Sequence, residues 1–207
     1  MNILQLNSSA RRVQDGQGSY STRLATELVA GLQAANSQSK LTVRDLGLNP
    51  HPAMDEAALG ALFTPADKRS AEQAERVAAN DALIDELFAA DAIVIATPMI
   101  NFGVPTQLKN WIDAVARAGT TFKYGATGPV GQVTGKKVYI VSASGGVHRG
   151  QVTDGVTPYL RTVLGFLGMT EVEFIYAEGL AMGPDAEAAG VAAARAQIAE
   201  LLGGVTA

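Results

Sequence analysis

Short runs of aliphatic and β-branched residues alternate with helix-length segments along the whole chain, and this alternation limits the possible folds more than any other feature. The runs lie at residues 3–6, 41–46, 92–96, 137–142 and 172–176. The third, Ala92-Ile93-Val94-Ile95-Ala96, is apolar at every position, as a strand buried on both faces must be. The second alternates, as a half-exposed edge strand does. Between the runs, Leu24, Leu28, Val29 and Leu32 recur at helical spacing. A short helix is expected over 55–62. A long one is expected from Thr64, as N-cap before Pro65, through Val77, Leu83, Ile84, Leu87 and Phe88. Further helices are expected from Pro105 and over 157–167 and 184–202. Strands alternating with helices imply a parallel sheet with right-handed crossovers and helices on both faces. The chain therefore reads as one domain over 1–207, a three-layer α/β/α fold with a five-stranded parallel sheet in the order 2-1-3-4-5.

Composition removes whole classes of chemistry. The chain has no cysteine, so disulfides, thiolate metal sites and cysteine nucleophiles are absent. Its two histidines, His51 and His148, exclude a multi-histidine metal site, and no metal is expected. A net charge of −4 argues against a nucleic-acid partner or an anionic lipid surface. No apolar run reaches the roughly 18 residues that span a membrane, and the start lacks a basic segment ahead of its apolar stretch. A cytoplasmic protein is expected. No G-x-S-x-G elbow is present, and the acidic pairs Asp55/Glu56 and Asp85/Glu86 read as solvated helix faces.

In such a sheet, ligands bind at the carboxyl ends of the strands, so the loops after the first, third and fourth strands hold the candidate residues. The first is rich in hydroxyls (Ser8, Ser9, Ser19, Ser21) and runs into a helix, which favours an anion through free N–H groups and the helix dipole. Gly135-Lys136-Lys137 lacks the hydroxyl of a P-loop and precedes a strand instead of following one. Gly16-x-Gly18-x-x-Ser21 only grazes the dinucleotide fingerprint, so a mononucleotide phosphate fits better. The second loop contains Pro98, Met99, Ile100, Asn101 and Phe102, fixed by prolines on either side; the third contains Ala143, Ser144, Gly145 and Gly146, then His148. His148 suits a ligand contact and a surface position equally.

The stretches Asn7-Ser8-Ser9, Met99-Ile100-Asn101-Phe102, Thr106-Gln107-Leu108-Lys109-Asn110-Trp111, Phe122-Lys123-Tyr124, Thr157-Pro158-Tyr159-Leu160 and Ala177-Glu178-Gly179 resemble the FMN-dependent NADH-azoreductase family of flavodoxin-like proteins, in order along essentially the whole chain. The resemblance implies a homodimer holding one non-covalent FMN per subunit, with NADH or NADPH as donor and azo compounds or quinones as acceptors. It places the FMN phosphate at Ser9 and at Ser19, Tyr20 and Ser21. It places the ring against Pro98, Met99, Ile100, Asn101 and Phe102, and against Ala143, Ser144, Gly145 and Gly146. The family commonly carries Tyr where Ile100 stands and Ser-Arg-Gly-Gly where Ala143-Ser144-Gly145-Gly146 stands, so a phenol and a guanidinium are missing here.

The hard chemistry then belongs to the flavin, and the expected cycle is ping-pong: hydride from nicotinamide to flavin, then two electrons to the acceptor. Asn101 is expected to tune the ring, so no side chain is needed as a catalyst in its own right. Phe102, Tyr124, His148 and Phe166 are expected to contact the substrate, the aromatic rings through stacking. The rival reading is a non-enzymatic electron carrier of the same architecture. Against it stand the long insert at 120–135 and the helix over 64–88, which suit a dimer that roofs the ring.

Overall fold

The computed structural model describes residues 1–205. Its main sheet is built from β1 (Asn2–Asn7), β2 (Lys40–Asp45), β3 (Ala92–Pro98), β6 (Lys137–Ala143) and β7 (Glu171–Ala177), in the order β2-β1-β3-β6-β7. Every pairing in it is parallel. The order differs from the expected 2-1-3-4-5 in its numbering. Two further strands, β4 (Phe122–Gly125) and β5 (Gly128–Gly131), lie between the third and fourth strands of the sheet and form a separate antiparallel hairpin. The long insert at 120–135 thus contains a two-stranded hairpin. Gly131 seats the hairpin, since a Cβ there would lie 2.1 Å from the Gly168 nitrogen.

Side-chain alternation divides the core. Leu4, Leu6, Ile93, Ile95, Val138 and Ile140 face α3 (Ala71–Ala89), α4 (Thr106–Val115) and α5 (Thr157–Leu167). Ile3, Val94, Tyr139 and Val141 face α1 (Tyr20–Ala35) and α6 (Pro184–Val205). A strand with period-2 side chains, apolar at every position, can be buried only by covering both faces, and the three-layer α/β/α arrangement does this. At the edge, β2 leaves Leu41 and Val43 exposed.

Two local expectations are corrected. Thr64 does not open the long helix; it closes α2 (Glu56–Phe63), its hydroxyl donating to the Gly60 carbonyl at 2.7 Å. A short 3₁₀ turn, Ala66–Lys68, follows. The long helix, α3, starts at Ser70, which forms a reciprocal capping box with Gln73 and so satisfies two backbone donors where Thr64 satisfies none. Glu86 is not merely solvated: it makes a bidentate ion pair with Arg44, tying α3 to the edge strand β2. Among the described residues no helix is long and apolar enough to cross a membrane, and no cluster of three metal-ligating side chains occurs.

Candidate functional site

β1 ends at Asn7, and Ser8 and Ser9 follow it at the carboxyl edge of the sheet. The two serines divide the work. Ser8 is fully buried and committed to structure, its N–H and hydroxyl both donating to the Ala96 carbonyl at 3.0 and 2.8 Å. Ser9 is half-buried and its hydroxyl accepts the Arg11 N–H, at 3.1 Å. The chain then loops out and returns through Gly18, whose φ is +109° and whose Cβ, if it had one, would lie 1.9 Å from the Arg12 carbonyl oxygen. Only glycine permits that close approach.

The loop delivers the chain to Ser19, the N-cap of α1, whose hydroxyl accepts the Thr22 N–H at 3.3 Å and lies 3.2 Å from the Ser21 hydroxyl. The first N–H groups of a helix have no intrahelical acceptor, and the first turn of α1 contains no acidic residue to occupy them. Tyr20 is held sideways by a hydrogen bond from its hydroxyl to Glu187 of α6 and by the Arg23 guanidinium, 4.5 Å from its ring centre. The bond to Glu187, then burial, pushes the phenol pKa above its ordinary range. Tyr20 is therefore a neutral wall beside these hydroxyls.

β3 leads into a tight turn closed by Ile100 and Gly103, each N–H donating to the other's carbonyl at 2.9 and 3.0 Å. The two residues between them, Asn101 and Phe102, have φ of +47° and +68°. Asn tolerates this region; Phe does not, so Phe102 is held there by its surroundings. Gly155 supplies part of that hold, packing so closely that a Cβ would lie 2.2 Å from the Phe102 carbonyl oxygen. The Phe102 ring meets His148 edge-on, at 5.8 Å between centroids. Beside this turn, Ser144 is buried and its hydroxyl donates to the Gly146 carbonyl at 2.8 Å, which bends the loop after β6.

These loops converge on a cleft of about 200 Å³ lined by Ser9, Ser19, Tyr20, Ser21, Pro98, Met99, Ala143, Ser144 and Gly145, all of them expected site residues. Arg11, Leu180 and Ala181 line it too. The last two follow β7, whose loop the topology argument did not assign to the crevice. The signal for it was Gly179, which turns the chain at φ +72° so that the Leu180 and Ala181 N–H groups donate to the Ser144 and Gly145 carbonyls. Ile100, Asn101, Phe102 and Gly146 border the cleft in sequence without lining it.

Tyr124 and Phe166 lie elsewhere. Both pack on Phe122 of the hairpin, at 5.6 and 4.4 Å between ring centres, and neither lines the cleft. Tyr124 is 77% exposed. His51 is structural: its carbonyl accepts the Asn110 amide at 3.0 Å.

The chain is similar to known proteins along nearly its whole length. The family model Flavodoxin_2, described as a flavodoxin-like fold, matches residues 1–202. An FMN-dependent NADH:quinone oxidoreductase of Leptothrix cholodnii is 61% identical over 202 residues, 98% of this chain and 97% of the relative. One of the same name from Dechloromonas aromatica is 57% identical over 98% of this chain and all of the relative. Among solved structures, an azoreductase from Bacillus anthracis superposes with a TM-score of 0.87 at 26% identity, covering 97% of this chain and 98% of the other.

Proposed function

The chain belongs to the Flavodoxin_2 family, and from that premise we propose that it is an FMN-dependent NAD(P)H oxidoreductase that reduces quinones to hydroquinones and azo compounds to amines. The observation that carries this reading is the convergence of Ser9, Ser19, Ser21, Met99 and the Ala143–Gly145 segment on one cleft, in a chain 61% identical to an oxidoreductase of that kind. We take the chain as one FMN-binding domain over 1–207, located in the cytoplasm.

The residues present suit FMN. A phosphate dianion needs donors and no competing carboxylate, and the Ser9, Ser19 and Ser21 hydroxyls lie at the N-terminus of α1, whose first turn holds no acidic residue. A flat tricyclic ring needs backbone without side chains on one side and apolar contact on the other. Gly145 supplies the first, Pro98 and Met99 the second. When bound, the cofactor supplies the redox chemistry, accepting a hydride from a nicotinamide and returning it to the acceptor.

The chain's part is binding and orientation. Tyr20, fixed by Glu187 and Arg23, closes one wall of the phosphate end. Asn101 and Phe102, presented on a tight turn, border the ring end; the Asn101 amide tunes the ring, and the Phe102 ring with His148 stacks the acceptor. Ile100 and Ser144 replace the phenol and guanidinium common in the family, which leaves this end more apolar. The exposed Phe63, Tyr124 and Val152 support a homodimer in which a second copy covers them and brings Tyr124 and Phe166 to the acceptor site.

The test is a visible spectrum of the protein mixed with FMN and desalted, then given NADH without air, then a quinone. Retained yellow bands that bleach with NADH and return with quinone are expected. Loss of the bands on desalting overturns the reading. Bands that NADH leaves unbleached point instead to an electron carrier.

A further inference from the structure

Glu178 stands at the end of β7, half-buried, outside the cleft lining and without an assigned role. One carboxylate oxygen, Oε1, accepts two consecutive backbone N–H groups, those of His148 at 2.6 Å and Arg149 at 2.8 Å. Its own main chain is locked from the other side, because Gly190 of α6 packs so closely that a Cβ would lie 2.1 Å from the Glu178 carbonyl oxygen. Glu178 is thus a fixed post, and the loop after β6 is tied to it.

The tie matters for what lies on either side. Upstream, Gly145 and Gly146 are held by the Ala181 and Gly179 N–H groups, both at 3.0 Å. Downstream, His148 is fixed by its Nδ1 against the Thr153 hydroxyl at 2.9 Å and meets Phe102 edge-on. Without the carboxylate, the span from Val147 to Arg149 loses two charge-assisted hydrogen bonds, and two donors are left to water. The glycine loop and the Phe102 turn are then no longer braced against each other.

We propose that Glu178 is a positioning residue for the flavin site: its carboxylate pre-orders the Gly145–Arg149 loop so that Gly145 stays in the cleft wall and His148 buttresses Phe102. The role rests on the function proposed above. It acts by removing the ordering cost that binding would otherwise carry.

Glu178→Ala removes both acceptors, whereas Glu178→Gln keeps a carbonyl oxygen in the same place. FMN affinity is read by quenching of flavin fluorescence, and amide exchange at His148 and Arg149 is read in the FMN-free protein. Glu178→Ala is expected to weaken FMN binding at least tenfold and to speed exchange at those two amides while the β3 core stays protected. Glu178→Gln is expected to stay within about threefold of the parent in both. If Glu178→Ala does not fold, Glu178→Asp, with its carboxylate drawn back by one methylene, takes its place with the same expectation. Unchanged affinity and exchange in the truncated variant overturn the proposal, as does a Gln variant as impaired as Ala. If the parent itself binds no FMN, the functional reading fails and amide exchange alone decides the role of Glu178.

Discussion

Phe102 carries an unfavourable backbone for the sake of where its ring goes. A non-glycine residue in the left-handed region costs roughly 1–2 kcal/mol, and more than half of this side chain remains in solvent, so its own burial returns little. Gly155 and His148 hold it in place instead. Such strain concentrates at functional positions. Phe102→Gly should therefore leave the melting temperature within a few degrees of the parent, because relief of strain offsets the lost contact with His148 and the added flexibility of the unfolded chain. The same variant should raise KM for a quinone several-fold, by loss of ring stacking worth about 1 kcal/mol. Thermal denaturation and steady-state kinetics check both halves. A large fall in melting temperature would show that the ring serves stability first.

The connection from β2 to α2 behaves as a strap, and His51 is its buckle. The Asn110 amide donates to the His51 carbonyl and Arg76 donates to the Ala53 carbonyl at 2.8 Å, so the proline-rich segment is pinned to α3 and α4. Burial lowers the His51 pKa, the Asn80 side chain opposes it, and the Arg76 and Arg44 charges act in the same direction as burial. The folded protein thus keeps this imidazole neutral at a pH where the unfolded chain, near its ordinary value of about 6.5, already binds a proton. Stability from this group is present above that value and is lost as pH falls through the depressed folded pKa. The melting temperature should drop on acidification from about pH 7, and His51→Gln should flatten that part of the profile. Equal slopes in the two proteins would remove His51 as the cause.

The whole molecule joins two clusters of buried side chains across one sheet, while the cleft sits where loops from β1, β3, β6 and β7 meet at its edge. Those loops are held mostly by bonds to one another, so a ligand bridging them adds cohesion that the apo protein lacks. FMN at one hundred times its dissociation constant should add about 2.7 kcal/mol, a rise of roughly 5–10 °C in melting temperature. A melting temperature independent of FMN would mean that the cleft does not bind it.

The layered fold could be read from residue order because its cause is local. The unbroken apolar run at Ala92–Ala96 demands cover on both faces, and the helical spacing of Leu24, Leu28 and Leu32 supplies one of the two covers. The hydroxyl cluster before α1 and the proline-bounded loop containing Asn101 are legible for the same reason, since caps and proline-fixed loops depend on a few neighbouring residues, whereas the tight turn inside that loop comes from the folded chain. Where neighbours competed, local reading failed: Thr64 has the chemistry of a cap, yet Ser70 with Gln73 satisfies more donors. In the loop after β7 only Gly179 marks a turn; Leu180 and Ala181 have no distinctive chemistry. They reach the cleft through hydrogen bonds to Ser144 and Gly145, more than thirty positions earlier in the chain. The same holds for Glu178, an ordinary surface carboxylate in sequence. Its partners are main-chain N–H groups, which every residue but proline carries, so only folding selects which ones it meets.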